Sequence, residues 1–368
     1  MQKSRDRTIA LILLSPSLAF IALFVYYFIG YTIYVSLTDW GGASAYLAEA
    51  RINFIGLKNY QQLFTSFLNF RFRQDLINTV FYLCFVTLGA LGLGLLFAIL
   101  LDREPRGEDV FKTLFLYPMA LSFVVTGTIW RWLLTSHGIN ALPMVVGLPP
   151  LEFTWISSHV QVLQFQWQYF PTITGALIGG VLILLALQAR SRSFSRVVAL
   201  LVPAAIMLAW AGWMLTRAPQ SPLVGEVHGF NLATVGVILV AVWQYSGYTM
   251  ALYLAGLRGV SGDLHEAAQL DGCSELQYYL RVAIPLLKPL TVSAVIILAH
   301  ISLKMFALIF ALAGPDNAGT SHLSLLMYLK TFRGNQLGLG AAVSVVLFLM
   351  VALFVVPYLL RSSGQEVT

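Results

Sequence analysis

Residues 258–288 read Arg-Gly-Val-Ser-Gly-Asp-Leu-His-Glu-Ala-Ala-Gln-Leu-Asp-Gly-Cys-Ser-Glu-Leu-Gln-Tyr-Tyr-Leu-Arg-Val-Ala-Ile-Pro-Leu-Leu-Lys, a polar stretch between two long apolar runs. Asp263 can cap a short helix at its start, and Glu266 stands three residues later, as in an approximate capping box. Gly272 can end that helix, because glycine accepts the left-handed conformation common at helix C-termini. The first half of the stretch therefore predicts one short, capped helix.

The second half predicts another helix. Ser274 and Gln277 have the Ser-x-x-Gln spacing of a capping box, and Pro285 marks the region where this helix ends. Two short helices separated by a glycine would form a compact knob below a membrane. Such a knob suits insertion into a groove of a partner protein, with Glu266 as a directional charge. The apolar contacts would come from Leu264, Ala267, Ala268 and Leu270. The other interpretation is an ordinary solvated loop.

The composition places the rest of the chain in a membrane. Of 368 residues, 58% are hydrophobic and 10% are charged, and the mean hydropathy is +0.78. Soluble domains carry about 25% charged residues. A helix needs about 20 apolar residues to cross the hydrocarbon core of a bilayer. Eight candidate spans meet this length: 9–37, 76–101, 112–134, 172–189, 197–216, 231–257, 290–313 and 337–360.

The positions of the cations predict the orientation. Lys3, Arg5 and Arg7 precede an uncharged run that is too long for a cleaved signal peptide, so we expect an uncleaved first span. Short segments on the same side as the N-terminus hold more than half of the 22 Lys and Arg residues. Because cytoplasmic loops are enriched in cations, this pattern predicts that both termini are cytoplasmic. The segment 38–74 would then be periplasmic, although it carries four cations.

The segment 136–171 is rich in aromatic residues and contains no Lys or Arg. Trp and Tyr gather at the headgroup level of membranes, so an interfacial or re-entrant piece is one interpretation. The alternative is that this segment lines the entrance for a substrate.

Several catalytic patterns are absent from the sequence. No Gly-x-x-x-x-Gly-Lys-Ser/Thr occurs, so the chain has no P-loop for ATP. Gly-x-Ser-x-Gly and His-Glu-x-x-His are also missing, and no ligand set has metal spacing. Cys84 and Cys273 imply no disulfide framework. The carboxylates of residues 102–109 are expected to belong to a solvated turn. We therefore expect no enzyme activity, no metal and no cofactor in this chain.

The polar stretch resembles the EAA loop of binding-protein-dependent ABC importer permeases, written E-A-A-x-x-x-G, then nine residues, then I-x-L-P. The chain supplies Glu266-Ala267-Ala268, Gly272 and Val282-Ala283-Ile284-Pro285, with two conservative departures in the last element. The likeness is closest to the maltose and glycerol-phosphate permeases of the carbohydrate-uptake type. Further matching stretches, in the family's order, are 15–17, 54–60, 78–79, 111–118, 130–133, 254–257 and 314–318.

The resemblance implies an all-α polytopic membrane protein with the type I importer permease fold, formed by one transmembrane domain over 1–368. It implies that 258–288 is the cytoplasmic coupling loop. A departure is 150–217, where two additional spans form an insertion into the family pattern. The residues expected to couple to an ATPase are Glu266, Ala267, Ala268, Leu270, Asp271, Gly272, Leu276 and Pro285.

The resemblance also implies partners. They are a second homologous permease, two ATP-binding subunits that hold ATP and Mg, an extracytoplasmic solute-binding protein, a sugar substrate and the lipid bilayer of a bacterial inner membrane. No nucleic acid is expected. This chain would form half of the translocation path for an oligosaccharide, glycoside or polyol, and would transmit the movement of the ATPase.

Polar residues within the spans are candidates for the substrate path. His300 and Lys304 are four residues apart and are expected on one helix face, either along a sugar path or in structural pairing. Trp243, Gln244, Tyr245 and Tyr248 offer stacking faces and hydrogen-bonding groups for a sugar, but aromatic residues in a span also serve packing.

Two other function classes are weaker. A secondary transporter would carry inverted repeats and several ionisable residues at midplane, and only His300 and Lys304 qualify. A membrane-embedded transferase would need clustered carboxylates or histidines at one face of the membrane. Neither class accounts for the two-helix loop.

Overall fold

A computed structural model describes residues 13–41, 52–135, 138–189, 194–220 and 223–362. The N-terminal cations and the turn around Arg190 and Arg192, on which the predicted orientation partly rests, lie outside these residues.

Helices form most of the described chain. In chain order they are α1 Leu13–Ser36, α2 Lys58–Thr65, α3 Phe70–Asp102, α4 Glu108–Ala120, α5 Phe123–Leu133, α6 Phe170–Ala189, α7 Phe194–Arg217, α8 Ala233–Arg258, α9 Gly262–Leu270, α10 Glu275–Leu286, α11 Lys288–Ser302, α12 Phe306–Ala313, α13 Leu323–Tyr328 and α14 Leu337–Ser362. A 3-10 helix covers Ile139–Val146, and two strands, β1 Gln161–Gln166 and β2 Val227–Asn231, pair antiparallel. The all-α class is confirmed, and these two strands were not predicted.

Each of the eight predicted spans coincides with helical structure, but not each is a single helix. By length and apolar composition, five of the described helices could cross a membrane, or up to seven spans if two bent pairs are counted. The number eight and the orientation of the chain therefore stay predictions.

The predicted span 112–134 is not one continuous helix, because α4 and α5 meet at an angle of 103°. Ser122 explains the break. Its backbone is extended, and its side-chain oxygen accepts a hydrogen bond from the amide of Val125 at 3.3 Å, so it starts a new helix as an N-cap. The predicted span 290–313 is also interrupted, since α11 ends at Ser302 and α12 begins at Phe306.

The core of the bundle is the pair α3 and α8. A β-carbon at Gly94 would lie 2.7 Å from the backbone nitrogen of Met250, and one at Gly89 would lie 2.6 Å from a methyl group of Val242. Small residues let the two backbones approach this closely. The hydroxyl of Thr249 donates to the carbonyl oxygen of Ala90 at 2.6 Å across the same contact. This close packing makes α3 and α8 the frame that positions the other elements.

The two additional spans of the insertion, α6 and α7, pack against each other as a hairpin. Gly175 faces Trp210, and Gly179 faces Leu208. Strand β1 precedes α6 and strand β2 follows α7, and the two strands pair with Gln166 opposite Val227. The hairpin therefore stands on a short two-stranded ribbon.

A buried ion pair fixes that ribbon to α3. Arg73 is fully buried, and its Nε and Nη2 donate to the two carboxylate oxygens of Glu226 at 2.5 and 2.6 Å. His228 Nε2 lies 2.5 Å from the same carboxylate, and its Nδ1 lies 3.0 Å from Gln74 Oε1. We call Arg73, Gln74, Glu226 and His228 the anchor cluster.

In the anchor cluster, burial and the hydrogen bond between Glu226 and His228 shift each pKa in opposite directions. Burial is the main cause that lowers the pKa of His228, although the neighbouring Glu226 partly opposes it. Burial also disfavours the ionised form of Glu226, but the hydrogen bonds from Arg73 and His228 outweigh it and hold the pKa of Glu226 below its ordinary value. The hydrogen bonds to Glu226 therefore favour its ionised form.

Candidate functional site

The first helix of the loop, α9, begins earlier than the sequence suggests. Ser261 is its N-cap, and the Ser261 hydroxyl accepts from the amide of Asp263 at 3.3 Å. The prediction that Asp263 is the cap is therefore wrong. Asp263 instead lies in the first turn, where its negative charge interacts favourably with the helix dipole.

Gly272 ends α9, as predicted. Its φ is +78°, in the left-handed region that side chains disfavour. The amide of Gly272 donates to the carbonyl of Gln269 at 3.0 Å, and the amide of Cys273 donates to that of Ala268 at 2.9 Å. These two bonds form a Schellman motif. The direction in which the chain leaves α9 is therefore fixed by backbone hydrogen bonds.

The second helix, α10, has the predicted capping box. The amide of Gln277 donates to the Ser274 hydroxyl at 3.4 Å, and the Gln277 side chain accepts from the Ser274 amide at 2.9 Å. The helix ends at Leu286, one residue after Pro285, and the chain then bends by 69° into α11.

A contact between the two helices was missed at the sequence level. His265 Nε2 lies 3.1 Å from a carboxylate oxygen of Glu275, and the His265 ring lies 4.4 Å from the ring of Tyr278, between centroids. Tyr278 itself is buried. These residues hold α9 against α10. Their spacing in the sequence follows no pattern that would have indicated the contact.

The outer surface of this loop carries exposed leucine side chains. Leu270 is 89% exposed and Leu276 is 67% exposed, and Leu264 and Leu280 are also exposed. Of the other predicted coupling residues, Glu266, Ala267, Asp271 and Pro285 are exposed at the surface. Ala268 is instead buried against the core, so only its neighbours can contact a partner.

The base of the loop is attached to the turn between α3 and α4. The hydroxyl of Tyr279 donates to Asp102 Oδ2 at 2.8 Å, and Arg258 pairs with Glu108, which also pairs with Lys112. Residues 102–109 form a largely exposed turn, as expected, and these contacts give the turn a supporting role as well. The turn is part of the support of the loop, and we call this end of the bundle the coupling end.

A cavity of about 450 Å³ lies near the middle of α8, where the α4–α5 break meets the break after α11. Gln244, Tyr245, His300 and Lys304 line it. Gln244 Nε2 donates to the carbonyl oxygen of Leu121 at the first break, at 3.1 Å. We call it the middle cavity.

The structure brings together only some of the residues that were predicted for the substrate path. Gln244, His300 and Lys304 share the middle cavity. His300 and Lys304 do not share a helix face, because α11 ends between them and Lys304 lies in the following turn. Trp243 instead packs edge-on against Trp130, with ring centroids 5.3 Å apart, and Tyr248 is not among the residues lining the cavity.

Comparisons with known proteins agree with this fold. Residues 192–365 match the family model of the binding-protein-dependent transport system inner membrane component. The chain is 30% identical to a probable ABC transporter permease protein of Pyrococcus horikoshii over 370 residues, with 100% of both chains covered. It is also 30% identical to the xylose/arabinose import permease protein XacH of Haloferax volcanii, over 90% of this chain and 80% of that one.

A solved structure shares the fold. It is the crystal structure of a bacterial alginate ABC transporter in complex with an alginate pentasaccharide-bound periplasmic protein, with a TM-score of 0.60, 18% identity, and 95% of this chain and 93% of that chain covered. The chain therefore belongs to the binding-protein-dependent transport system inner membrane components and is a multi-pass permease subunit of an ABC transporter.

Proposed function

We propose that this permease forms half of the translocation path of an ATP-driven sugar importer and is coupled through α9 and α10 to a separate ATPase. The sugar class is supported by the Haloferax relative, a xylose/arabinose import permease, and by the alginate transporter that shares the fold. Residues of the middle cavity suit a sugar as well, because Tyr245 offers a ring face and Gln244, His300 and Lys304 offer hydrogen-bonding groups.

The assembly would contain a second permease, two ATP-binding subunits and an extracytoplasmic solute-binding protein. The alginate transporter was solved with its periplasmic protein, which supports the last partner. ATP and Mg would bind to the ATP-binding subunits, since this chain has no P-loop. The coupling end would face the cytoplasm. The membrane would be the cytoplasmic membrane. The homologues include archaeal proteins, so a bacterial origin stays a prediction.

The observation that carries the coupling role is the combination of a rigid knob with exposed leucines on its outer face. The Schellman motif at Gly272 and the capping box at Ser274 fix the two helices, and Tyr279 ties them to α3 through Asp102. Exposed leucines on such a frame suit a hydrophobic groove in a partner. When the ATPase subunits close, this frame would transmit their movement to α8 and α11, and the bundle would alternate between two orientations.

The test is Leu270→Asp in the complex reconstituted with its partner subunits. Because Leu270 is 89% exposed, the substitution leaves the fold intact, but it places a charge in the proposed contact. We expect ATP-dependent sugar uptake to fall at least about ten-fold, equivalent to 1.4 kcal/mol of lost contact. Leu68→Asp is the matched control, because Leu68 is 88% exposed but lies between α2 and α3, at the other end of α3 from the loop.

Glu266→Lys tests the directional charge in the same assay, and copurification of the ATPase reports on docking. Uptake that persists in Leu270→Asp and Glu266→Lys, or that falls equally in Leu68→Asp, would refute the coupling role. Uptake without any ATPase subunit would refute the importer.

A further inference from the structure

A second and larger cavity, of about 970 Å³, lies at the end of the bundle opposite the coupling end. We call it the far cavity. The 3-10 helix and the segment that follows it form one wall, and the end of α5 and the start of the loop after α12 form the other. A β-carbon at Gly236, near the start of α8, would lie 3.1 Å from the carbonyl oxygen of Trp155, which lines this cavity.

The walls of the far cavity are held by buried amide groups. Asn140 is 5% exposed, its Oδ1 accepts from the indole nitrogen of Trp155 at 2.9 Å, and its Nδ2 donates to the carbonyl of Phe153 at 2.8 Å. Asn317 Nδ2 donates to the carbonyl of Ile156 at 2.6 Å and so joins the two walls. The shape of the cavity is therefore preformed, which lowers the entropic cost of binding a ligand.

Groups that could contact a ligand remain available. Arg131 and Glu152 line the far cavity and are exposed, and neither forms an ion pair within the described ranges. Phe153 is 57% exposed, and its ring centroid lies 5.2 Å from that of Trp155. An aromatic face next to hydrogen-bonding groups is the combination that a sugar ring requires. One positive and one negative side chain favour a neutral sugar over an acidic one.

The far cavity and the middle cavity are linked by the same helices. Helix α5 begins at Phe123, which lines the middle cavity, and leads to Arg131, which lines the far cavity. Gly127 lets α5 pack closely on α12, since a β-carbon there would lie 2.7 Å from that of Ala311. Along α8, Gly236 and Tyr245 are separated by nine residues, or about 13 Å. The two cavities therefore lie at two different positions along the length of α8.

We propose that the far cavity is a first sugar subsite, which receives a neutral oligosaccharide before it reaches the middle cavity. This proposal rests on the proposed function, because it requires a sugar to enter from the end opposite the coupling loop. Arg131 and Glu152 would bind hydroxyl groups, and Phe153 with Trp155 would contact a ring face. A volume of about 970 Å³ is within the range of sites that bind molecules of this size.

The experiment uses two neighbouring residues of the 3-10 helix. Met144 lines the far cavity and Val145 does not, although both are exposed. Met144→Cys and Val145→Cys are made separately in a chain with Cys84→Ser and Cys273→Ser, and the full complex is reconstituted. Labelling by a membrane-impermeant methanethiosulfonate is measured with maltotriose, xylotriose or trigalacturonate, each first tested for ATP-dependent uptake.

We expect a transported neutral trisaccharide to slow labelling of Met144→Cys about ten-fold at ten times its Kd, and to leave labelling of Val145→Cys unchanged. Adding Glu152→Gln should weaken this protection. Uptake without protection overturns the subsite, and so does equal protection of both cysteines, which would indicate shielding by a docked protein. A Met144→Cys that is never labelled shows that a partner subunit covers the cavity, which also overturns it.

The outcomes separate this proposal from the one on which it rests. If none of the three sugars is taken up, the sugar importer itself is refuted for these substrates, and the far cavity with it. If only trigalacturonate is taken up and protects Met144→Cys, the preference for a neutral sugar is wrong.

Discussion

The ion pair of the anchor cluster and the ion pair at the coupling end differ in their burial. In the anchor cluster, Arg73 is 0% exposed and Glu226 is 6% exposed. At the coupling end, Arg258 is 37% exposed and Glu108 is 17% exposed. Exposed pairs contribute little to stability, whereas removing one partner of a buried pair is costly. The pair at the coupling end can therefore be rearranged at small cost, whereas the pair in the anchor cluster cannot.

The largest effect is expected from Arg73→Met. The substitution leaves Glu226 buried without its guanidinium partner and removes the bonds of Arg73 to the carbonyl groups of Leu63 and Ser66. We expect the free energy of unfolding of the detergent-solubilised chain, measured by denaturant titration, to fall by about 3–5 kcal/mol.

The matched control is Arg333→Met. Arg333 pairs with Asp316 at 2.8 Å, but the two side chains are 49% and 82% exposed, so the loss should stay below about 1 kcal/mol. Equal losses in the two variants would show that burial does not distinguish these pairs. The double variant Arg73→Met with Glu226→Gln should recover part of the stability, because it removes the unpaired charge.

A smaller effect is expected at the coupling end from Gly272→Ala. The φ of +78° makes a β-carbon there cost about 1–2 kcal/mol, which should loosen the end of α9. Amide hydrogen exchange of residues 262–286 in the assembled complex should then be about five-fold faster or more. Gly262→Ala is the control, because a β-carbon at Gly262 meets no atom within 4 Å and its φ is ordinary. If the exchange rates are unchanged in Gly272→Ala, the Schellman motif does not fix the conformation of the loop.

The smallest effect concerns the pH dependence of the anchor cluster. Because burial lowers the pKa of His228, the unfolded chain binds a proton below about pH 6.5 before the folded chain does, so acid should destabilise the fold. The lowered pKa of Glu226 adds a further loss only below about pH 4.5. The loss from the histidine is small because the carboxylate beside it opposes the effect of burial.

The contribution of His228 is measured by comparing the unfolding of wild type and His228→Gln at about pH 7.5 and pH 5.5. The variant should lose less stability on acidification than wild type does. A wild type that gains stability at the lower pH would mean that His228 is charged in the folded protein.

The loop formed by α9 and α10 was the most predictable part of the chain because its determinants are local. The capping box at Ser274 and the end of α9 at Gly272 depend on residues within three to five positions of each other. The misplaced cap at Asp263 shows the limit of this reasoning, since Ser261 two residues earlier is an equally good cap and the backbone decides between them.

The breaks within the spans and the anchor cluster were not predictable in the same way. A hydropathy pattern does not register the 103° turn before α5, although Ser122 followed by an apolar run was a usable signal for a new helix. Arg73 and Glu226 are 153 positions apart, so the sequence offered no local indication that they pair. The spacing of His300 and Lys304 predicted that the two residues lie together, but it did not predict that α11 ends between them.

The ribbon under the α6–α7 hairpin gives the chain a modular character. Gln166 and Val227 are directly paired, so the polypeptide departs into the hairpin and returns about 5 Å away, the spacing of adjacent strands. The two ends of the hairpin therefore lie side by side. A gene encoding this protein could lose or exchange the hairpin and rejoin the ribbon with a tight turn, while the helices before and after it keep their places and directions.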